Sequence, residues 1–394
     1  MNTEKPKLPR TIWLFGLASF FTDVGSEMII GLLPVFLVGS LHASGVVVGL
    51  VDGVADATSA LIKLFAGQIS DRVRRRKPLV LLGYGLSTAV RPLVSFATAP
   101  WHAILVRGLD RVGKGVRSAP RDALMADVVA GRGADVAARA FGVHRALDHA
   151  GAVVGPLLAS VLLGIGLTMP EVFRVAWIPG VLALLCLSLV TEKAREPSSS
   201  SAAPPSWLPR SPPPGLAQAL PPFALVAVGL SIEPFLLLFA RHQGVADAAL
   251  PLVWLLLHVG KSSAAALVPK PASSSSRQGW LLASWLLALV GLGLCALAVA
   301  WPTSQLLLIG SVLVIGIGSG AREPLERARV AELAGAGRGG AFGWFHLATG
   351  LAALPGGLGL GLLWDHSTPT TTALAAAGIL ALALLWSVVD QRRR

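Results

Sequence analysis

The chain has 394 residues, 54% hydrophobic and only 14% charged, with a mean hydropathy of +0.68 and a net charge of +12. Soluble domains carry about 25% charged residues, so this composition excludes an ordinary water-soluble domain. In a membrane protein a basic excess marks Lys- and Arg-rich loops on one side rather than a nucleic-acid surface.

The N-terminus, "MNTEKPKLPRTIWLFG", lacks a small-residue cleavage site and runs into an apolar stretch too long for a signal peptide, so it reads as a retained first span. A span needs about 20 mostly apolar residues. Six segments meet this in the first half, at 11–39, 45–68, 78–98, 101–121, 140–165 and 171–191. Six more follow at 220–241, 247–268, 279–300, 303–321, 341–363 and 370–389. Between them lies "EKAREPSSSSAAPPSWLPRSPPPG", whose Ser and Pro content reads as a flexible linker. The predicted fold is an all-α integral membrane protein of twelve helices: residues 1–191 as one half, 192–219 as linker and 220–394 as the other. Cys186 and Cys295 lie inside apolar runs and form no disulfide, zinc or thiol-nucleophile pattern.

Orientation follows from Lys and Arg placement. Lys5, Lys7 and Arg10 precede the first span, and Arg72, Arg74, Arg75, Arg76 and Lys77 follow the second. Arg132 and Arg139 follow the fourth; Lys193, Arg195 and Arg210 lie in the linker, Lys270 and Arg277 after the eighth span. Arg327, Arg329 and Arg338 follow the tenth, and the chain ends "QRRR", whereas alternate loops such as "GSLHASG" and "ATAPW" are nearly uncharged. Both termini and the linker are expected in the cytoplasm.

The stretch "GLDRVGKG", Gly108 to Gly115, almost spells a phosphate-binding loop. It has Gly115 where that motif needs a hydroxyl after the lysine, and a long apolar helix rather than a strand precedes it, so nucleotide binding is rejected. The halves also echo each other. "GVRSAPRDALMADVVAG" resembles "GAREPLERARVAELAG", and "RAFGVHRALDHAGAVVG" resembles "GAFGWFHLATGLAALPG", pairing Phe141 with Phe342. Duplicated six-span halves are a transporter architecture.

Across essentially its whole length the sequence resembles the major facilitator superfamily. "GQISDRVRRRKP" is similar to that family's signature loop, through Gly67, Ser70, Asp71, Arg72 and Arg75–Arg76–Lys77, with Arg74 replacing the usual glycine. "GAVVGP" in the fifth span (Gly151, Gly155, Pro156) resembles the motif of the antiporter branch, although Gly-x-x-x-Gly also simply brings helices together. "LDRVGKGVRSAPRDALMAD" is similar to a bacterial subgroup with poorly defined substrates. The resemblance implies that an arginine of the fourth span lines a central cavity and influences proton coupling.

Arg107, Asp110 and Lys114 fall at i, i+3 and i+7 and so share a helix face. Charges within a span normally face a bundle interior or a wet cavity. With Arg111 they form the predicted cavity-facing run, whereas Arg117, Arg121, Asp122 and Asp127 approach the cytoplasmic loop. There Arg121 and Asp122 are expected to latch against Asp71 and Arg72. Asp23 and Glu27 in the first span, and Asp52 and Asp56 in the second, are each one turn apart. A carboxyl group alternating between a dry site and contact with Arg or water can take up and release a proton. The plainer reading is that some of these acids only pair with Arg91, Arg107 or Lys63 to hold helices together. His144, Arg145, Asp148 and His149 open the fifth span, with Arg145 and Asp148 read as gate residues rather than metal ligands. Glu233, beside Pro234, is predicted to contact substrate or mark a hinge, with His258 and Lys261 as complements. Arg322 and Glu326, with Glu323 and Arg327, are read as a second latch. Trp13, Trp101, Trp177, Trp280, Trp301 and Trp364 are interface anchors.

These readings predict a secondary transporter of the inner membrane that moves a small organic or drug-like solute by alternating access, as proton-coupled efflux. The expected partners are substrate and lipid bilayer, with no nucleic acid; the expected state is a monomer with no cofactor and no metal. Acidic residues suit a cation, and Arg107, Arg111 and Lys114 equally suit an anion. A metal or metal-complex transporter is the alternative, without a visible ligand cluster. A sensor or scaffold is another, which a charge-rich cavity disfavours, and no catalytic motif supports an enzyme.

Overall fold

The computed structural model describes residues 8–73, 75–132, 134–192, 211–267, 274–301, 304–334 and 338–392, and at some positions, Asp71, Arg72 and Arg338 among them, the backbone alone. Lys5, Lys7, Arg74, Lys193, Arg195, Arg210, Lys270, most of the predicted linker and the last two arginines lie outside the described residues.

The first half begins with a broken span, α1 (Arg10–Ile30) and α2 (Leu33–Gly39), followed by α3 (Gly45–Arg72) and α4 (Lys77–Val90), which runs on as a 3-10 helix to Phe96. Next come α5 (Pro100–Val129), α6 (Ala134–Gly164) and a second broken span, α7 (Met169–Val175) with α8 (Trp177–Ser188). The second half starts with another break, α9 (Pro214–Leu230) and α10 (Phe235–His242). It continues through α11 (Leu250–Leu267), α12 (Ser274–Ala300), α13 (Gln305–Leu333), α14 (Arg338–His366) and α15 (Pro369–Arg392). The result is an all-α bundle of two six-span halves. The chain crosses the membrane many times: among the described residues, eleven helical segments are long and apolar enough to span it. Helix α5 is the twelfth long helix, its apolar run interrupted by Arg107, Asp110, Arg111, Lys114 and Arg117. Outward-facing apolar residues such as Leu306, 83% exposed, fit a lipid surround.

The two halves repeat one packing scheme. Helix α1 lies on α6 and α8 as α9 lies on α14 and α15, and α5 lies on α3 and α4 as α13 lies on α11 and α12. The internal sequence echo therefore has a structural counterpart. The leading span of each half breaks near its middle, at Gly31–Leu32 ahead of Pro34 and at Ser231–Pro234, where proline removes a backbone donor. Several helices outrun the predicted spans, α5 to Val129 and α13 to Leu333. Their charged extensions at the end carrying Arg10, Arg76 and Arg132, here the basic end, need no bilayer to stay helical.

Across the halves α3 packs on α14 and α6 on α11. Gly45, Gly49 and Gly53 recur every fourth residue on α3, so they form one stripe. A Cβ on Gly49 would fall on the Gly357 carbonyl, and one on Gly53 would come 2.8 Å from the Leu354 Cα. At the far end, opposite the basic one, Asp365 of α14 accepts from the backbone N–H of Gly45 (2.6 Å) and Val46 (3.1 Å), capping α3 from the other half. Close backbone contact and this trans cap help to close the end, together with Ser160 donating to the Ala248 carbonyl at 2.6 Å.

Gly49→Val is expected to force α3 and α14 apart and lower stability by about 1–3 kcal/mol. Gly85→Ala, at a helical glycine with nothing within 4 Å of its Cβ position, is expected to be neutral or stabilising by up to about 1 kcal/mol. Melting temperatures in detergent would check both, and equal shifts would contradict the packing argument.

Candidate functional site

The helix breaks place charge between the halves. Glu27 lies one turn before the first break, and Glu233 lies within the second. They help line an inner chamber of about 220 Å³ together with Asp52, Asp56, Arg107 and Arg111 of the first half and Trp254, His258 and Lys261 of the second. Trp254 Nε1 donates to Glu27 Oε2 at 2.7 Å, and His258 Nε2 lies 3.5 Å from the same oxygen. Lys261 donates to Glu233 at 2.6 Å, and the Ser319 hydroxyl approaches it at 3.4 Å. The sequence pairing of Lys261 with Glu233 is present, whereas His258 turns to Glu27 of the opposite half. Trp254 escaped the sequence reading; its i, i+4 spacing to His258 was the available signal.

Helix α5 supplies the other wall. Arg107 donates to Asp52 at 2.8 Å and lies 3.6 Å from Asp110. Asp110, 2% exposed, does not line the chamber: it turns to α4, where Arg91 Nη2 reaches it at 2.9 Å. Arg91 Nη1 then donates to the Thr22 carbonyl at 2.9 Å, tying α1 into the cluster. The inward face of α5 is thus Arg107, Arg111 and Lys114, with Asp110 turned into the protein and the buried Arg117 at the edge of the wider cavity beyond. Arg117 stacks on the Tyr84 ring at 4.4 Å and donates to Ser87 at 2.5 Å.

Toward the basic end the chamber continues into two wider cavities of about 360 and 540 Å³. Asp23, Lys63, Lys114 and Asp148 face this vestibule. Asp148 accepts from Ser19 at 2.6 Å and lies 3.4 Å from Arg145. Arg121 pairs with its neighbour Asp122 at 2.8 Å; the side chains of Asp71 and Arg72 lie outside the described atoms. From the signature loop, Arg76 pairs with Asp127 at 2.6 Å, and Glu192 accepts from the Arg76 and Lys77 backbone N–H groups. Arg322 and Glu326 pair within the second half, with Trp285 donating to Glu326. Among the described residues, the ion pair that crosses between halves here is Arg145–Glu323, at 3.6 Å.

The fifth-span glycines lie directly beside the acidic pair of α1. A Cβ on Gly151 would come 3.1 Å from the Asp23 Cβ, and one on Gly155 2.9 Å from the Glu27 Cβ. Pro156 lies inside the same helix, α6. Gly108–Gly115 is continuous helix and no phosphate loop. Among the described residues no three His, Cys, Asp or Glu side chains gather as a metal-holding group.

Comparison with known proteins agrees with this architecture. The model of the Major Facilitator Superfamily matches residues 15–274. An uncharacterised protein of Mycobacterium tuberculosis is 31% identical over 404 residues, covering 96% of this chain and 93% of its own. An uncharacterised transporter of the same superfamily type from Methanocaldococcus jannaschii is 28% identical over 382 residues, covering 94% and 92%. Among solved structures, a mutant of the nucleoside transporter NupG superposes with a TM-score of 0.84 at 14% identity, covering 96% of this chain and 99% of that one. At that identity the likeness concerns the fold.

Asp110→Ala is expected to cost about 3–5 kcal/mol, because it leaves two buried guanidinium groups without their shared carboxylate. Arg111→Ala, which breaks no ion pair among the described residues, is expected to cost much less. Unfolding in mixed micelles would compare them, and equal losses would remove Asp110 from its central place.

Proposed function

The chain belongs to the Major Facilitator Superfamily, and from that premise we propose that this secondary active transporter exports a small organic solute in exchange for protons. The fold is one of transport rather than catalysis, with two halves that rock around a site between them. In this reading the basic end faces the cytoplasm of an inner-membrane protein, by the rule that Lys and Arg gather inside. Both termini are then internal, the protein acts as a monomer, and the vestibule opens inward.

The observation that carries the proposal is the position of Glu27. It belongs to the first half, adjoins a helix break, faces the chamber and accepts a hydrogen bond from Trp254 of the second half. As a carboxylate it is a charged acceptor that draws Trp254 and His258 across the interface. Once protonated it loses charge and weakens that attraction. Proton uptake and release at Glu27 thereby bias the rocking of the halves, as exchange requires. Asp23 lies one turn nearer the basic end and faces the vestibule, giving the proton a second station on its way inward. The α6 glycines favour the same reading, because they hold a helix backbone against both acids. Ion-paired Arg145, Glu323 and Arg327 line the inner mouth as its gate.

The test uses purified protein in liposomes with a trapped pH dye and an imposed proton gradient, challenged with organic cations, organic anions and divalent metals. Proton flux triggered by one organic class, and lost in Asp23→Asn/Glu27→Gln, is expected. Labelled solute crossing with no proton flux would overturn proton coupling, and flux triggered by metals alone would overturn the organic substrate.

A further inference from the structure

Arg107 and Arg111 stand one turn apart on α5, and both line the inner chamber. Arg107 is 2% exposed. Its Nη2 is taken by Asp52, but its Nε and Nη1 have no hydrogen-bond partner among the described residues. The buried Nε of Arg111 has none either. A guanidinium carries five N–H donors in a planar fork and cannot shed its charge. Buried donors of this kind are costly to leave unmet. Arg107 Nη1 lies 3.6 Å from Asp110, which leaves the Nε of Arg107 and the Nε of Arg111, one turn apart beside the chamber, without a partner among the described residues.

The carboxylates of the chamber do not serve them. Glu27 is engaged by Trp254, Glu233 by Lys261, and Asp52 by one arm of Arg107. Asp56 also lines the chamber and forms no ion pair within 4.0 Å among the described residues. The cationic character continues toward the basic end: Lys63 and Lys114 face the vestibule, and neither forms an ion pair among the described residues. A solute entering from that end passes Lys63 and Lys114, set among the acids Asp23, Asp148 and Glu323, on its way to the two arginines.

We infer that Arg107 and Arg111 form an oxyanion subsite, so that the transported solute carries a carboxylate or phosphate-type group. Arg111 receives that group with its planar fork, and Arg107 supplies the remaining donors from the next turn. The body of the solute extends toward Trp254 and Leu230, which give the chamber an apolar side. The inference rests on the reading of this chamber as the transport path. It resolves the ambiguity of substrate charge, because three of the four acids of the chamber are engaged while Arg111 forms no ion pair among the described residues.

The test is equilibrium binding to the purified full chain in detergent, without any gradient, read by tryptophan fluorescence and melting temperature. The probes are benzoate, phenylphosphonate and inorganic phosphate, with benzyltrimethylammonium as the cationic counterpart. Saturable binding of an oxyanion probe is expected, with none of the cation. Arg111→Gln should weaken it at least tenfold, and Arg111→Lys, which keeps charge but loses the fork, should fall between. The melting temperature of each unliganded variant reports whether it is folded. Unchanged affinity in a folded Arg111→Gln, preference for the cation, or no oxyanion binding by the natural chain would each overturn the subsite. Failures separate cleanly: cation-triggered proton flux unaltered by Arg111→Gln would sink the subsite and leave proton exchange standing. Oxyanion binding without proton flux would leave the subsite and sink the exchange.

Discussion

The carboxylate of Asp110 is the charge around which the first half is organised. It sits between Arg91 and Arg107, and through them reaches Thr22 and Asp52. Four helices therefore meet at one buried group. In a low-dielectric interior a single unpaired charge is expensive, and a chain of alternating charges with hydrogen bonds is tolerable. This explains how α5, the least apolar of the long helices, can lie inside a bundle that is otherwise Leu, Val and Ala. It also explains the geometry of the chamber. With Asp110 turned to α4, the helical period brings Arg107, Arg111 and Lys114 around to the inward face.

The second half solves the same problem with fewer charges. Its counterpart of α5 is α13, whose buried Glu326 is held by Arg322 and Trp285, while Lys261 of α11 neutralises Glu233 at the helix break. The repeat is thus one of helix packing rather than of chemistry. The first half carries the open donors and acids, and the second carries aromatic and histidine partners that reach across.

Much of this was legible in the sequence because a membrane imposes a length on every span. The twelve helices, the two halves and a hinge beside Pro234 follow from apolar runs and proline, whereas the first span, read as continuous over 11–39, breaks at Gly31–Leu32. The direction of individual charged side chains did not. Spacing alone placed Asp110 beside Arg107 and Lys114, but its orientation is set by Arg91, nineteen residues earlier and on another helix. Pairing with Arg91, Arg107 or Lys63 was the plainer alternative for the acids of the first two spans, and it describes Asp52; among the described residues Asp56 and Glu27 form no ion pair with any of the three. Asp365 was invisible for a related reason. A lone acid near a loop has no local signature, and its role exists only because α3 begins beside it.

The distribution of strong and weak contacts is what permits motion. The Asp110 pairs with Arg91 and Arg107 lie within one half, are buried, and are worth several kcal/mol to keep intact. Contacts between the halves are lighter: the exposed Arg145–Glu323 pair, Trp254 to Glu27, His149 with Ser262 at 3.1 Å, Ser160 to the Ala248 carbonyl, and the Asp365 cap. A helix cap is worth about 0.5–2 kcal/mol, and glycine-to-backbone contacts such as Gly49 on Gly357 interlock no side chains. Opening the far end therefore breaks interactions of roughly that size each, while every half keeps its own core. Two rigid bodies joined by a few individually modest contacts can exchange between arrangements under thermal energy. A ligand or proton acting on even one of those contacts carries a useful fraction of the difference.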